Sequence, residues 1–150
     1  MYSDTVTLFN RKPGSDGDTW YPTVLQNVHL NMDKAAIRAK YGEGNDHRAL
    51  LHVPYVRADA QRCIAGKVWL PSKAWQAQNT PETSLTFATG NAFDFFWVGE
   101  WADAAPITDA DYLSDGGFYG YMNRVHDDVY AVTAVSGPYS VIPHFEVMGQ

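Results

Sequence analysis

Residues 93–101 read FDFFWVGEW, nine positions holding five aromatic side chains, two carboxylates and one glycine. Read as a strand, the stretch alternates with period two. Phe93, Phe95, Trp97 and Gly99 share one face, and Asp94, Phe96, Val98 and Glu100 share the other. The first face is expected in a core and the second outward, with a bulge at the glycine leaving Trp101 beyond it. Such a stretch suits a ligand-stacking platform, a packed barrel strand or a surface for another protein, and its neighbours decide among them.

Those neighbours are short strands. TVTLF (5–9) alternates, RKPGSDGD (11–18) has the composition of a hairpin loop, and TWYPTVLQNVHLN (19–31) resumes the extended pattern, with Pro22 marking an edge or a bulge. MDKAAIRAKYG (32–42) fits a short helix, with Asp33 to cap it and Gly42 to stop it, and helix and strand both stay open over residues 31–44. HRALLHVPY (47–55) predicts the next strand and IAGKVWLP a short one ended by Pro71, and PSKAWQAQNTPET one helical turn followed by loop. SLTFATGNAFDFFWVGEW predicts two strands around TGN, and ADAAPITDADYLSDGG an acidic surface loop. Phe118, Tyr121, Met122 and Val125 fall at i, i+3, i+4 and i+7, predicting a short helix that Gly120 weakens. VYAVTAVS and YSVIPHFEVMG predict a closing hairpin turning at Gly137–Pro138. Seven or eight short strands with one or two short helices and long loops predict a mainly β chain, a small barrel or sandwich.

The chain of 150 residues is one domain's length, and 14% of it is aromatic. A single cysteine, Cys63, forms no internal disulfide. The N-terminal stretch lacks the basic and apolar blocks of a signal peptide, so synthesis in a reducing cytoplasm is expected. No run approaches the roughly 18 apolar residues of a membrane span. The net charge of −6 is uneven: residues 1–73 carry ten Lys/Arg against seven Asp/Glu, whereas residues 74–150 carry Arg124 alone against ten Asp/Glu. The second half therefore offers no basic patch for nucleic acid. It reads as a solvated acidic surface, a face for a basic partner, or the lining of a passage to which DNA must not stick.

Catalytic signatures are sparse. The histidines 29, 47, 52, 126 and 144 show none of the spacings that hold zinc, and His47 and His52 fall on opposite faces of a strand. DADYLSDGG has Leu113 and Ser114 where an EF-hand loop needs an acidic or amide residue and glycine. No nucleophile elbow and no phosphate-binding glycine motif occurs. Asp94, Glu100 and Glu146 are the carboxylates that could pair in glycosidic chemistry, and the VHDD segment sets His126 beside two more. No metal and no cofactor is expected.

The order YSDTVTLFNR, TWYPTVLQNVHLNMDKAAIRAKYG, ALLHVPY, LPSKAW, DFFWVGEW and DDVYAVTAVSGPYSVIPHFEVMG resembles small head-tail joining (stopper-like) or minor capsid proteins of siphophages and prophages, over nearly the whole chain. Relative to a typical stopper, residues 71–83 and 102–127 are inserted. The resemblance implies a β-barrel that assembles with itself as a cyclic ring in the virion neck. Its neighbours would be the adaptor or portal above and the tail terminator or tail tube below, with packaged DNA passing unbound and no membrane involved. It also implies production in the host bacterial cytoplasm. On this reading Phe96, Val98, Trp101, Trp75 and Tyr119 are candidates for the ring interface, and Asp109, Asp111 and Asp115 for the lumen or a basic adaptor. A tail terminator or minor capsid protein is the near alternative. A carbohydrate- or nucleotide-binding β-module stacking its ligand on Trp97 or Trp101 is the distant one.

Overall fold

The computed structural model describes residues 2–42 and 47–150. Its centre is a closed antiparallel barrel. β1 (Asp4–Lys12) and β2 (Thr19–Asn31) form the first hairpin, and β3 (Ala49–Pro54) continues almost directly into β4 (Val56–Ala58). A second small sheet follows, made of β4, β5 (Gln61–Ile64), β6 (Lys67–Trp69) and β7 (Ser84–Leu85) in that order, with β6 and β7 parallel. β8 (Phe95–Trp97), β10 (Val129–Tyr139) and β11 (His144–Gly149) complete the barrel, whose order is β1-β8-β10-β11-β3-β2 with β1 pairing back to β2. β9 (Ile107–Thr108) adds to β2 at Thr19 and Trp20. Closure leaves the six barrel strands with few open edges, the usual answer to edge-to-edge aggregation.

Period two sorts the barrel's side chains. Val6 and Leu8 of β1, Leu51 and Val53 of β3, Phe96 of β8, and Phe145 and Val147 of β11 point into one core, which Ile64, Leu85 and Phe87 extend. Two smaller clusters lie on the outer face. Phe9, Trp20, Phe95 and Val129 are covered by α3 (Phe118–Val125) through Phe118 and Met122. Leu50 and Met148 are covered by Ile37 of α1 (Lys34–Tyr41). α1 starts where its capping residue predicts: the Asp33 side chain accepts from the Ala35 and Ala36 N–H groups, and Gly42 ends it. The segment 71–83 contributes α2 (Ser72–Ala77), which drives Trp75 inward.

The chain differs from the sequence reading at several places. The segment 102–115 is not plain loop, since it holds β9 and a 3₁₀ stretch over Asp109–Asp115. The closing hairpin turns at 140–143 rather than at Gly137–Pro138, which lie within β10. Gly120 does not weaken α3 so much as permit it, because a Cβ there would lie 2.0 Å from the Asp115 carbonyl oxygen. α3 therefore docks on the preceding 3₁₀ turn at a distance only glycine allows. No helix among the described residues is long and apolar enough to cross a membrane.

Candidate functional site

The decisive stretch is buried on both faces, which corrects the outward placement of Phe96. Phe96 is 0% exposed and lies in the barrel core beside Tyr130, with ring centroids 5.6 Å apart. Phe95, its neighbour, is equally buried on the other face, stacked on Phe9 at 4.8 Å beneath α3. Gly99 is pinned by Trp97, since a Cβ would lie 2.5 Å from the indole ring. The chain then curls around Thr7, whose hydroxyl donates to the Gly99 carbonyl at 2.8 Å and accepts from the Trp101 N–H at 3.0 Å.

The other interface candidates scatter. Trp75 is fully buried, its indole N–H donating to the Ser84 carbonyl at 3.3 Å, so it too is corrected from surface to core. Val98 is half-buried against the barrel core. Trp101 is half-buried, edge-on to Phe9 and Phe118. Tyr119 is half-buried between Phe93 and Phe95. No shared platform emerges, since all three side chains are partly covered by the barrel or by the cluster beneath α3.

The acidic candidates divide. Asp109 is spent internally, its Oδ1 accepting from the Trp20 indole N–H at 2.8 Å and from the Phe118 N–H at 2.9 Å. Asp115 pairs with Arg124 at 2.6 Å, and the guanidinium's hydrogen bonds hold its carboxyl below the usual range. Asp111 is exposed and accepts from the Thr108 hydroxyl at 3.0 Å.

Two polar centres went unseen at the sequence level. Asp94 is buried; its carboxylate accepts from the Arg11 N–H at 2.8 Å, the Asn10 amide at 2.9 Å and the Ala88 N–H at 2.8 Å. Burial outweighs these three donors and the nearby Arg11 charge, and the carboxyl is pushed up to about 7. On the barrel's outer face, His29, His52 and Glu146 sit opposite one another across β2, β3 and β11, and His144 lies two residues before Glu146. His52 Nε2 and His144 Nε2 each stand 3.6 Å from a different oxygen of Glu146, which Lys40 of α1 also contacts. Burial, then the charges of Lys40, His144 and His29, lower the His52 pKa against the pull of Glu146. The signal for this centre was the H-x-E spacing in β11, but its partners come from register that spacing alone does not supply. Among the described residues no group of three such side chains is arranged to hold a metal ion. Asp94 and Glu146 belong to these separate centres and Glu100 is exposed, so the three carboxylates form no common site.

One accessible apolar surface lies elsewhere, in the turn that joins β10 to β11. Val141 is 96% and Ile142 67% exposed in the β10–β11 turn, beside the partly exposed Tyr139. The turn is braced rather than loose: Tyr55 donates its N–H to the Pro143 carbonyl at 3.2 Å and its hydroxyl to the Tyr139 carbonyl at 2.7 Å. Val56, 67% exposed at the start of β4, follows directly. The braced turn thus presents two aliphatic side chains to water. Its sequence, YSVIPHF, carried the signal, which the misplaced turn concealed. Comparison with curated proteins and with solved structures returns no match, whereas one family, described as Family of unknown function (DUF6751), matches residues 1–150, and the chain belongs to it.

Proposed function

We propose that this chain is a structural protein of a tailed-phage virion, a stopper-like head-tail connector that closes into a ring between the portal–adaptor complex and the tail and retains packaged DNA. The observation that carries the reading is the braced apolar turn of Val141 and Ile142 on a closed six-stranded barrel. Among the described residues nothing covers it, and docking onto a neighbouring ring would bury it. The ordered motifs that resemble head-tail joining proteins support the same assignment. The role is architectural: the barrel supplies stiffness, the two insertions supply contact surface, and the acidic excursion borders a passage where DNA slides without binding.

Quantitative mass spectrometry of virions separated into DNA-filled heads, free tails and empty shells tests this. A low copy number on filled heads, on the order of a dozen or fewer as closed cyclic symmetry implies, is the expected result. Presence on free tails alone indicates a tail terminator, and many copies on shells a minor capsid protein. Absence from every fraction overturns the structural assignment.

A further inference from the structure

The closed barrel has one interrupted margin. Beyond β1, the other side of β2 is paired with β9 only at Thr19 and Trp20 and with β3 only from His29 to Asn31. Between them, residues 21–28 face a cleft. Pro22 has no N–H and stands opposite Phe9 in the β1–β2 ladder, so that pair is not the doubly hydrogen-bonded kind. Two residues on, Val24 has the same orientation, and its N–H and C=O point away from β1, into the cleft. The cleft, about 540 Å³ in volume, has residues 24–28 on one wall and Val53, Pro54, Ile64 and Ala65 on the other. Its accessible surface comes mainly from Val24, Gln26, Asn27 and Ala65, since Leu25, Val28, Val53 and Ile64 are core residues at its floor. It continues past Lys67 toward Trp101 and Asp103 through a further 330 Å³. Lys67 is half-buried there, donating to the Thr23 hydroxyl at 2.8 Å and to the Pro22 carbonyl at 3.4 Å. Glu82 acts on its charge from a distance, and among the described residues no carboxylate makes a direct ion pair with it. Burial lowers its pKa.

The same chain carries a matching element. β4 is the edge of the second sheet, paired only to β5, and all three of its side chains are exposed. It leads into the tight turn at Asp59 and Ala60, both at positive φ. The hairpin thus presents an open strand edge with the cation of Arg57 and the carboxylate of Asp59. The cleft presents an open strand edge with the cation of Lys67 and the carboxylate of Asp103. Edge meets edge and each charge has a counterpart of opposite sign.

We propose that the β2 cleft is the acceptor of a head-to-tail contact between copies of this chain, filled by the β4–β5 hairpin of the neighbouring copy with its Asp59 carboxylate against Lys67. The contact is heterologous, the kind that generates rings. This inference rests on the ring reading above and names the surfaces that would make it.

Sedimentation velocity on the purified full chain over a wide concentration range, with thermal melts of each variant, tests the contact. V24P removes a cleft-facing N–H without removing a β1–β2 bond, as Pro22 already does two residues earlier. The wild type is expected to self-associate, V24P to remain folded and monomeric, and K67E to associate about tenfold more weakly. The charge-swapped double variant K67E/D59K is expected to recover most of that loss, and this arm stands even if V24P fails to fold. Association of folded V24P equal to wild type, or no recovery in the double variant, overturns the contact. A wild type that stays monomeric throughout also overturns it, while virion fractionation separately judges the neck assignment.

Discussion

Asp94 shows how a single buried carboxylate sets a pH dependence. Its folded pKa, about 7, lies above the ordinary value of 3.8, so the folded chain holds a proton that the unfolded chain releases. The resulting stabilisation is full below pH ~4 and is lost as the pH rises through about 7. Melting temperatures should therefore fall across that interval, and Asp94→Asn should remove the slope. The substitution also turns an amide NH₂ toward the Asn10 and Ala88 donors, with an expected loss of about 1–3 kcal/mol for a mispaired buried polar group. A flat wild-type profile between pH 4 and 8 would refute this account. Phe96 makes a complementary point. Strand alternation correctly separated Phe95 from Phe96, but it could not say that α3 would cover the outer face and make both faces core. Truncating Phe96 to alanine should cost about 3–5 kcal/mol in denaturant unfolding, whereas a residue at a subunit contact would leave the monomer's stability nearly unchanged.

The elements with a local cause were legible in the sequence. α1 is announced by the Asp33 cap and the Gly42 stop, and α3 by Phe118 and Met122, both of which are buried. The i+7 member of that pattern, Val125, is exposed, because the helix ends there and only its first two turns reach the barrel. What could not be read was set by distant partners. The closing turn was placed at Gly137–Pro138 on turn chemistry alone, yet β11 pairs Tyr139 with His144 and so extends the ladder past the proline. That error hid Val141, the most exposed large hydrophobic side chain among the described residues, and Ile142 beside it. Since Val141 and Ile142 contribute little to the monomer, replacing both with serine should change unfolding free energy by no more than about 0.5 kcal/mol. If the proposed connector role holds, the same variant is expected to be lost from DNA-filled heads, and normal incorporation would remove the turn from the proposed docking surface.

At the scale of the molecule, the uneven charge acquires a location. The cyclic strand order places β3, β2 and β1 together as one half-wall and β8, β10 and β11 as the other, so the two halves of the sequence form opposite sides of the barrel. Seven of the ten acidic residues of the second half lie between Glu100 and Asp128, in the excursion that joins β8 to β10. Two of them, Asp109 and Asp115, serve that excursion's own architecture, which the composition could not reveal.

β8 is only three residues long, yet Phe96 on one side of it fills the barrel and Phe95 on the other is roofed by the excursion. The barrel and its addition therefore share a wall, and neither is a self-sufficient module. Trimming the chain to a minimal barrel by excising the excursion would strip the cover from Phe9, Trp20 and Phe95, leaving a sticky scaffold in place of a smaller one. Variation within the family should accordingly lengthen or shorten this segment only beyond Phe118 and Met122, keeping the aromatic roof while the outer rim drifts.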